Sequence, residues 1–99
     1  MNFEFFPEVK EELIEAALEY EEKQSGLGWR FRQEIGQVID WIVEHLFVLR
    51  ERACGYRWLN CPVFQPYVAY IVRGETIFIV AVAHGRRFPD FWRARLREF

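Results

Sequence analysis

Ile77-Phe78-Ile79-Val80-Ala81-Val82-Ala83-His84-Gly85-Arg86-Arg87-Phe88-Pro89-Asp90-Phe91-Trp92 is the stretch that decides the fold. Ile77 to Ala83 is an unbroken apolar run rich in β-branched residues. A run of that length, closed by turn residues, predicts a strand buried on both faces. His84, Gly85, Arg86 and Arg87 then form a charged turn at the strand's end, where rigid scaffolds commonly present functional groups. Pro89 suits the first turn of a short terminal helix reaching Arg97.

Upstream, Arg73-Gly74-Glu75 reads as a hairpin turn that joins a strand at Tyr67–Val72 to the one at Thr76–Ala83. Pro62 and Pro66 favour a loop or bulge. Tyr56–Asn60 is a candidate strand before them, and Leu46–Cys54 a connection carrying Arg50 and Arg52. Further back, Phe31, Ile35, Val38 and Ile42 recur at helical spacing, widened by Ile39, Val43 and Leu46. Trp29 and Trp41 lie off that stripe. Gln24-Ser25-Gly26-Leu27-Gly28 breaks the chain tightly. Before it, Val9, Leu13, Ala16, Ala17 and Tyr20 mark another helix, opened by Pro7 and ending near Lys23. Glu8, Glu11 and Glu12 suit its positive end. Asn2–Phe6 is a short first strand. The fold class is therefore α+β: a helical hairpin packed on a small, mainly antiparallel four-stranded sheet, in the order β-α-α-β-β-β with a short C-terminal helix.

Residues 1–99 form a single expected domain. With 52% hydrophobic and 18% aromatic residues, a core needs neither disulfide nor metal. No apolar stretch approaches the roughly 20 residues of a membrane span. The N-terminus lacks the pattern of a signal peptide. A soluble cytoplasmic protein is expected, with no membrane partner. Cys54 and Cys61 cannot complete a tetrahedral zinc site, and His45 and His84 fit no zinc spacing, so neither metal nor cofactor is expected. Two reduced, partly buried thiols are the plain reading.

The net charge of −2 conceals an asymmetry. Residues 1–51 carry 5 basic and 12 acidic side chains, while residues 52–99 carry 8 arginines and 3 acids. An ordinary solvated surface explains this, as does a basic face that meets nucleic acid or an acidic protein. Arginine without lysine in the second half favours forked recognition of phosphate or carboxylate.

With this order in hand, the chain resembles the RelE/ParE superfamily of bacterial toxins, closest to its ParE-type branch. The residues that carry the resemblance are FFPEVKEELIEAALEYEEKQSGLGWRFRQEI (Phe5–Ile35), QPYVAY (Gln65–Tyr70) and AVAHGRRFPDFW (Ala81–Trp92). The last is the most specific. The chain departs from the pattern at Gln65, where phenylalanine is usual. It also has only Arg57 as a basic residue in YRWLNCPVF, and about one extra residue before Pro66-Tyr67.

The resemblance implies a type II toxin that inhibits growth, stabilises plasmids and is neutralised by a cognate antitoxin in a hetero-oligomer. The ParE-type branch implies a non-enzymatic inhibitor of DNA gyrase. The RelE-type alternative is ribosome-dependent mRNA cleavage, and a third outcome is a degenerate member that only binds antitoxin. Cleavage through the ribose 2′-hydroxyl needs a base, phosphorane-stabilising cations and an acid. Here the only lysines are Lys10 and Lys23, and Val68 stands where ribosome-dependent relatives tend to have arginine. Arg57, His84, Arg86 and Arg87 make the minimal ribonuclease set, which is incomplete, so no catalytic residue is expected.

Target binding is expected at Arg57, His84, Arg86, Arg87 and Arg93. His84 has a plainer explanation as a strand-end histidine bonded to the adjoining loop. Arg86 or Arg87 can equally bridge to Asp90 or a helix carboxylate. Phe91 and Trp92 read as core anchors of the tail, and at least one of Tyr67 and Tyr70 as packing under the hairpin. His45 suits the dipole at its helix C-terminus. The antitoxin is expected on an apolar groove formed by Leu13, Ala17, Leu18 and Trp41, as a helix or extended segment.

Overall fold

The computed structural model describes residues 2–52, 55–84 and 90–97. The chain forms β1 (Asn2–Phe5), α1 (Pro7–Lys23), α2 (Leu27–Glu44), β2 (Arg57–Asn60), β3 (Pro66–Arg73), β4 (Thr76–His84) and α3 (Asp90–Arg93), with a 3-10 turn at Ala94–Leu96. The strands make one sheet in the order β1-β4-β3-β2. β2–β3 and β3–β4 are antiparallel, and β1 joins β4 in parallel. The α+β class, the element order and the mainly antiparallel sheet are as expected from the sequence.

The apolar run occupies the sheet's interior. In β4, Ile77 and Ile79 to Ala83 are buried, and Phe78 is partly so. Ala69 pairs with Ala81 but Tyr70 pairs with Ile79, so Val80 is an extra residue, a β-bulge that bends the strand. Alternation along β3 sends Val68 and Tyr70 to one face and Tyr67 and Ala69 to the other. On the first face the Tyr70 hydroxyl donates to the Leu46 carbonyl at 3.1 Å, just beyond α2. On the second, Trp92 Nε1 donates to the Tyr67 hydroxyl at 2.8 Å. The helical hairpin thus covers one face and the C-terminal segment the other. Both tyrosines are core residues, and Trp92 is fully buried, as the sequence suggested for a tail anchor.

The hairpin turns tightly for two reasons. Gly26 takes a left-handed conformation, φ 87°, at the N-cap of α2. At Gly28 a β-carbon would lie 2.5 Å from the Ala17 carbonyl oxygen, so only glycine lets α1 and α2 approach this closely. Glu21 then reaches across the turn. Its carboxylate accepts the Gly26 amide at 2.8 Å and the Gly28 amide at 3.0 Å. These are donors the first turn of α2 would otherwise leave unpaired. Near the same turn Tyr20, Phe31 and Phe64 cluster with ring centres 4.8–5.4 Å apart, Phe64 meeting both of the others edge to face. Cys61 is buried with its thiol free. Cys54 lies outside the described residues. No described helix is long and apolar enough to cross a membrane.

Candidate functional site

The outer surface of the helical hairpin carries an open groove of about 760 Å³. Its floor is Leu13 and Ala17 of α1, Ile35 and Ile39 of α2, and Phe5 of β1. Ile14 and Leu18 on one wall and Trp29 on the other are 61%, 60% and 64% exposed. Large apolar side chains this open, contiguous rather than scattered, mark a surface that another body covers. Gly36 lies in the opposite wall with open space above it.

The origin of the groove is a second stripe on α1. Val9, Leu13, Ala16 and Tyr20 face the core, while Lys10, Ile14, Leu18 and Glu21 lie one step round the helix and face the groove. Leu13, Ala17 and Leu18 are therefore brought together as the sequence suggested. Trp41 is not. It lies six residues beyond Ile35, about 120° round α2, where its ring stacks on His45 with centroids 4.3 Å apart and packs against the core. His45 Nδ1 lies 2.9 Å from the Trp41 carbonyl, so the imidazole caps the last turn of α2. Ile14 and Gly36 are among the groove residues that sequence reading missed. The signal was present in Lys10-Ile14-Leu18 at i, i+4 and i+8.

Among the described residues, several arginines of the second half are tied to their own surroundings. Arg57, only 13% exposed, donates through Nε to the Leu49 carbonyl at 3.0 Å and through Nη2 to Glu51 at 3.2 Å, under the Phe47 ring. Arg93 Nη2 donates to the Tyr56 hydroxyl at 3.1 Å, and its guanidinium also lies over the Tyr56 ring. Arg52 covers the Trp58 ring at 5.4 Å. These contacts give Arg57 and Arg93 positioning roles within the fold that the sequence reading, which gave them to a target, did not foresee. Of the other residues read as contacting a target, Arg86 and Arg87 lie outside the described residues, as do the side chains of His84, Asp90 and Phe91.

The backbone still places His84 relative to Arg57. His84 pairs with Pro66 on one side of β3, and Arg57 pairs with Tyr70 on the other. Four residues along β3 and two strand spacings across it separate the two backbones by about 16 Å. The fold does not bring these two members of the ribonuclease set side by side. Tyr67, near that end of the sheet, is buried and accepts the Trp92 bond; burial raises its pKa above 10.0, so it stays a neutral phenol.

A second polar centre holds the tail. Arg95 Nη1 and Nη2 each donate to Glu12 at 3.1 Å, Nη1 also donates to the Val80 carbonyl at 2.8 Å, and Nε lies 3.4 Å from Glu8. Glu12 Oε1 in turn accepts the Val82 amide at 3.3 Å. β1 ends at Phe5, whose partner is Ile79, so beyond that point β4 has no neighbouring strand on this side. The Glu12–Arg95 pair fills the place of backbone there. Among the described residues no three histidine, cysteine or acidic side chains are grouped to hold a metal ion.

No protein-family model and no curated protein matches this chain.

Proposed function

We propose that the chain is a RelE/ParE-like toxin that acts by binding DNA gyrase and is held inactive by a second protein, its antitoxin. The observation that carries the binding part of this reading is the open apolar groove flanked by exposed Ile14, Leu18 and Trp29. A surface of that kind suits a protein partner that buries it. The β-α-α-β-β-β order agrees with what the sequence resemblance implies. The separation of Arg57 from His84, and the internal engagement of Arg57, favour binding over RNA cleavage.

Gyrase poisoning asks for no bond-making residue in the toxin. It asks for a surface that stabilises the cleaved complex. The arginine-rich second half of the sequence is assigned to that task, His84, Arg86 and Arg87 among its residues. The test is supercoiling by purified gyrase with the folded chain added. Inhibition with trapped cleaved DNA is expected. Unchanged supercoiling, together with mRNA cut on programmed ribosomes, would replace this reading with the ribonuclease one.

A further inference from the structure

Ile77 to Ala83 of β4 is seven residues without charge, proline or glycine, the composition of segments that pair with copies of themselves. β3 borders this run on one side along its length. On the other side β1 stops level with Ile79, and the Phe6 amide makes the last backbone bond there, to the Ile79 carbonyl at 3.0 Å. Val80 to Ala83 are at most 5% exposed, yet among the described residues no strand lies beside them on that side. Side chains meet the backbone instead: Arg95 donates to the Val80 carbonyl and Glu12 accepts from the Val82 amide. A bulge, a charged pair turned inward and a covering segment are three separate ways in which proteins blunt a strand edge. All three converge here, in Val80, in Glu12 with Arg95, and in the turn at Ala94–Leu96. The outer strands β1 and β2 have four residues each and carry Glu4 and Arg57, so they are blunted by shortness and charge alone.

We infer that the Glu12–Arg95 clasp is a lock on self-association: when it opens, the Val80–Ala83 edge of β4 pairs with the same edge of a second copy. Buried backbone groups need partners. Without the clasp, the Val80 carbonyl and the Val82 amide lose theirs in apolar surroundings. A second β4, laid antiparallel across a two-fold axis, offers an amide and a carbonyl to each chain, so both deficits are met together. The second copy is the occupant the sequence favours, because the same uncharged, β-branched run stands on both sides of the contact and sets no like charges against each other. Water is the competitor: entering beside Val80, it would satisfy the same groups and leave the chain single. Neither gyrase nor an antitoxin takes part, so the inference goes beyond the proposed function and does not depend on it.

The experiment uses the full chain and a double variant, Glu12→Met with Arg95→Met. Replacing both partners of a shielded pair by apolar side chains of similar length keeps stability close to the parent's, so unfolding does not drive the result. Glu8, also bridged to Arg95, is about half exposed and stays solvated. Sedimentation velocity over a range of concentrations is expected to show the double variant self-associating about tenfold more tightly than the parent. Hydrogen exchange at Val82 should be fast in the dilute variant and slow in the associated one, because the amide regains a partner. Should the double variant not fold, Glu12→Ala opens Val82 while Arg95 stays on the Val80 carbonyl, and it is read in the same way. Gly28→Ala is the control: it is destabilised at the hairpin with the clasp intact, and it should associate no more than the parent. The inference is overturned if the folded variant associates no more than the parent, if Gly28→Ala associates equally, or if Val82 still exchanges fast in the associated variant.

Discussion

Tyr70 shows how one buried hydroxyl links the sheet to the chain beyond the helices. It is fully buried, and its hydroxyl donates to the Leu46 carbonyl. Burial raises its pKa above 10.0, opposed by the nearby Arg57 charge. Tyr67 and Tyr20 are raised for the same leading reason. The unfolded chain ionises these phenols at their ordinary value, while the folded chain keeps its protons to higher pH. Their contribution is therefore fully present below about pH 10 and is lost as pH rises through the folded values. Tyr70→Phe should cost about 1 kcal/mol at neutral pH through the lost bond. It should also make the alkaline fall in stability shallower, which urea unfolding at about pH 9 and about pH 11 would measure. Two glycines supply a paired test. Gly28→Ala forces a methyl against the Ala17 carbonyl and should cost about 1–3 kcal/mol. Gly36→Ala meets no atom within 4 Å and should stabilise α2 by up to about 1 kcal/mol. If both lowered the urea midpoint equally, the close helix approach would not be the reason for Gly28.

At the scale of elements, the tail is held by a clasp rather than by packing alone. Arg95 and Glu12 are 13% and 17% exposed, so their pair is shielded more than a surface bridge yet short of full burial. Arg95→Ala should cost about 2 kcal/mol, between those two limits. Glu12→Ala removes the acceptor of the Val82 amide. Hydrogen exchange at Val82 should therefore quicken, while exchange at Val68 and Ala69 in the sheet centre stays slow. Unchanged exchange at Val82 would mean that the amide finds another partner and that the clasp does not guard this edge. The elements themselves were legible in the sequence, because a β-branched run and two helical periodicities each state their own period. The clasp was not. Its partners stand 83 residues apart, and α1 carries seven glutamates that composition cannot tell apart. Glu21 likewise caps α2, and nothing local in the sequence distinguishes it from Glu22.

At the scale of the whole molecule, one helical hairpin serves two surfaces, and the sequence showed only one of them clearly. The core stripe of α2 was plain, because its apolar residues repeat without interruption. The groove was legible only in part, because Lys10, Arg32 and two glycines interrupt its apolar pattern, and Trp41 was drawn into it by type rather than by angle. The two surfaces should respond oppositely to substitution. Phe31, wholly buried against Tyr20 and Phe64, should cost about 3–5 kcal/mol when replaced by alanine, enough to unfold a domain of ordinary stability. Ile14→Ser with Leu18→Ser removes more apolar surface on paper, yet both side chains are already about three-fifths in water. That double variant should shift stability by no more than about 1 kcal/mol, as exposed sites do. It should nevertheless abolish binding of the protein partner proposed to cover the groove, because the docked segment loses one apolar wall. Thermal unfolding and titration of the same sample read both quantities. A double variant that unfolds would place Ile14 and Leu18 in the core, and one that still binds would move the partner away from the groove.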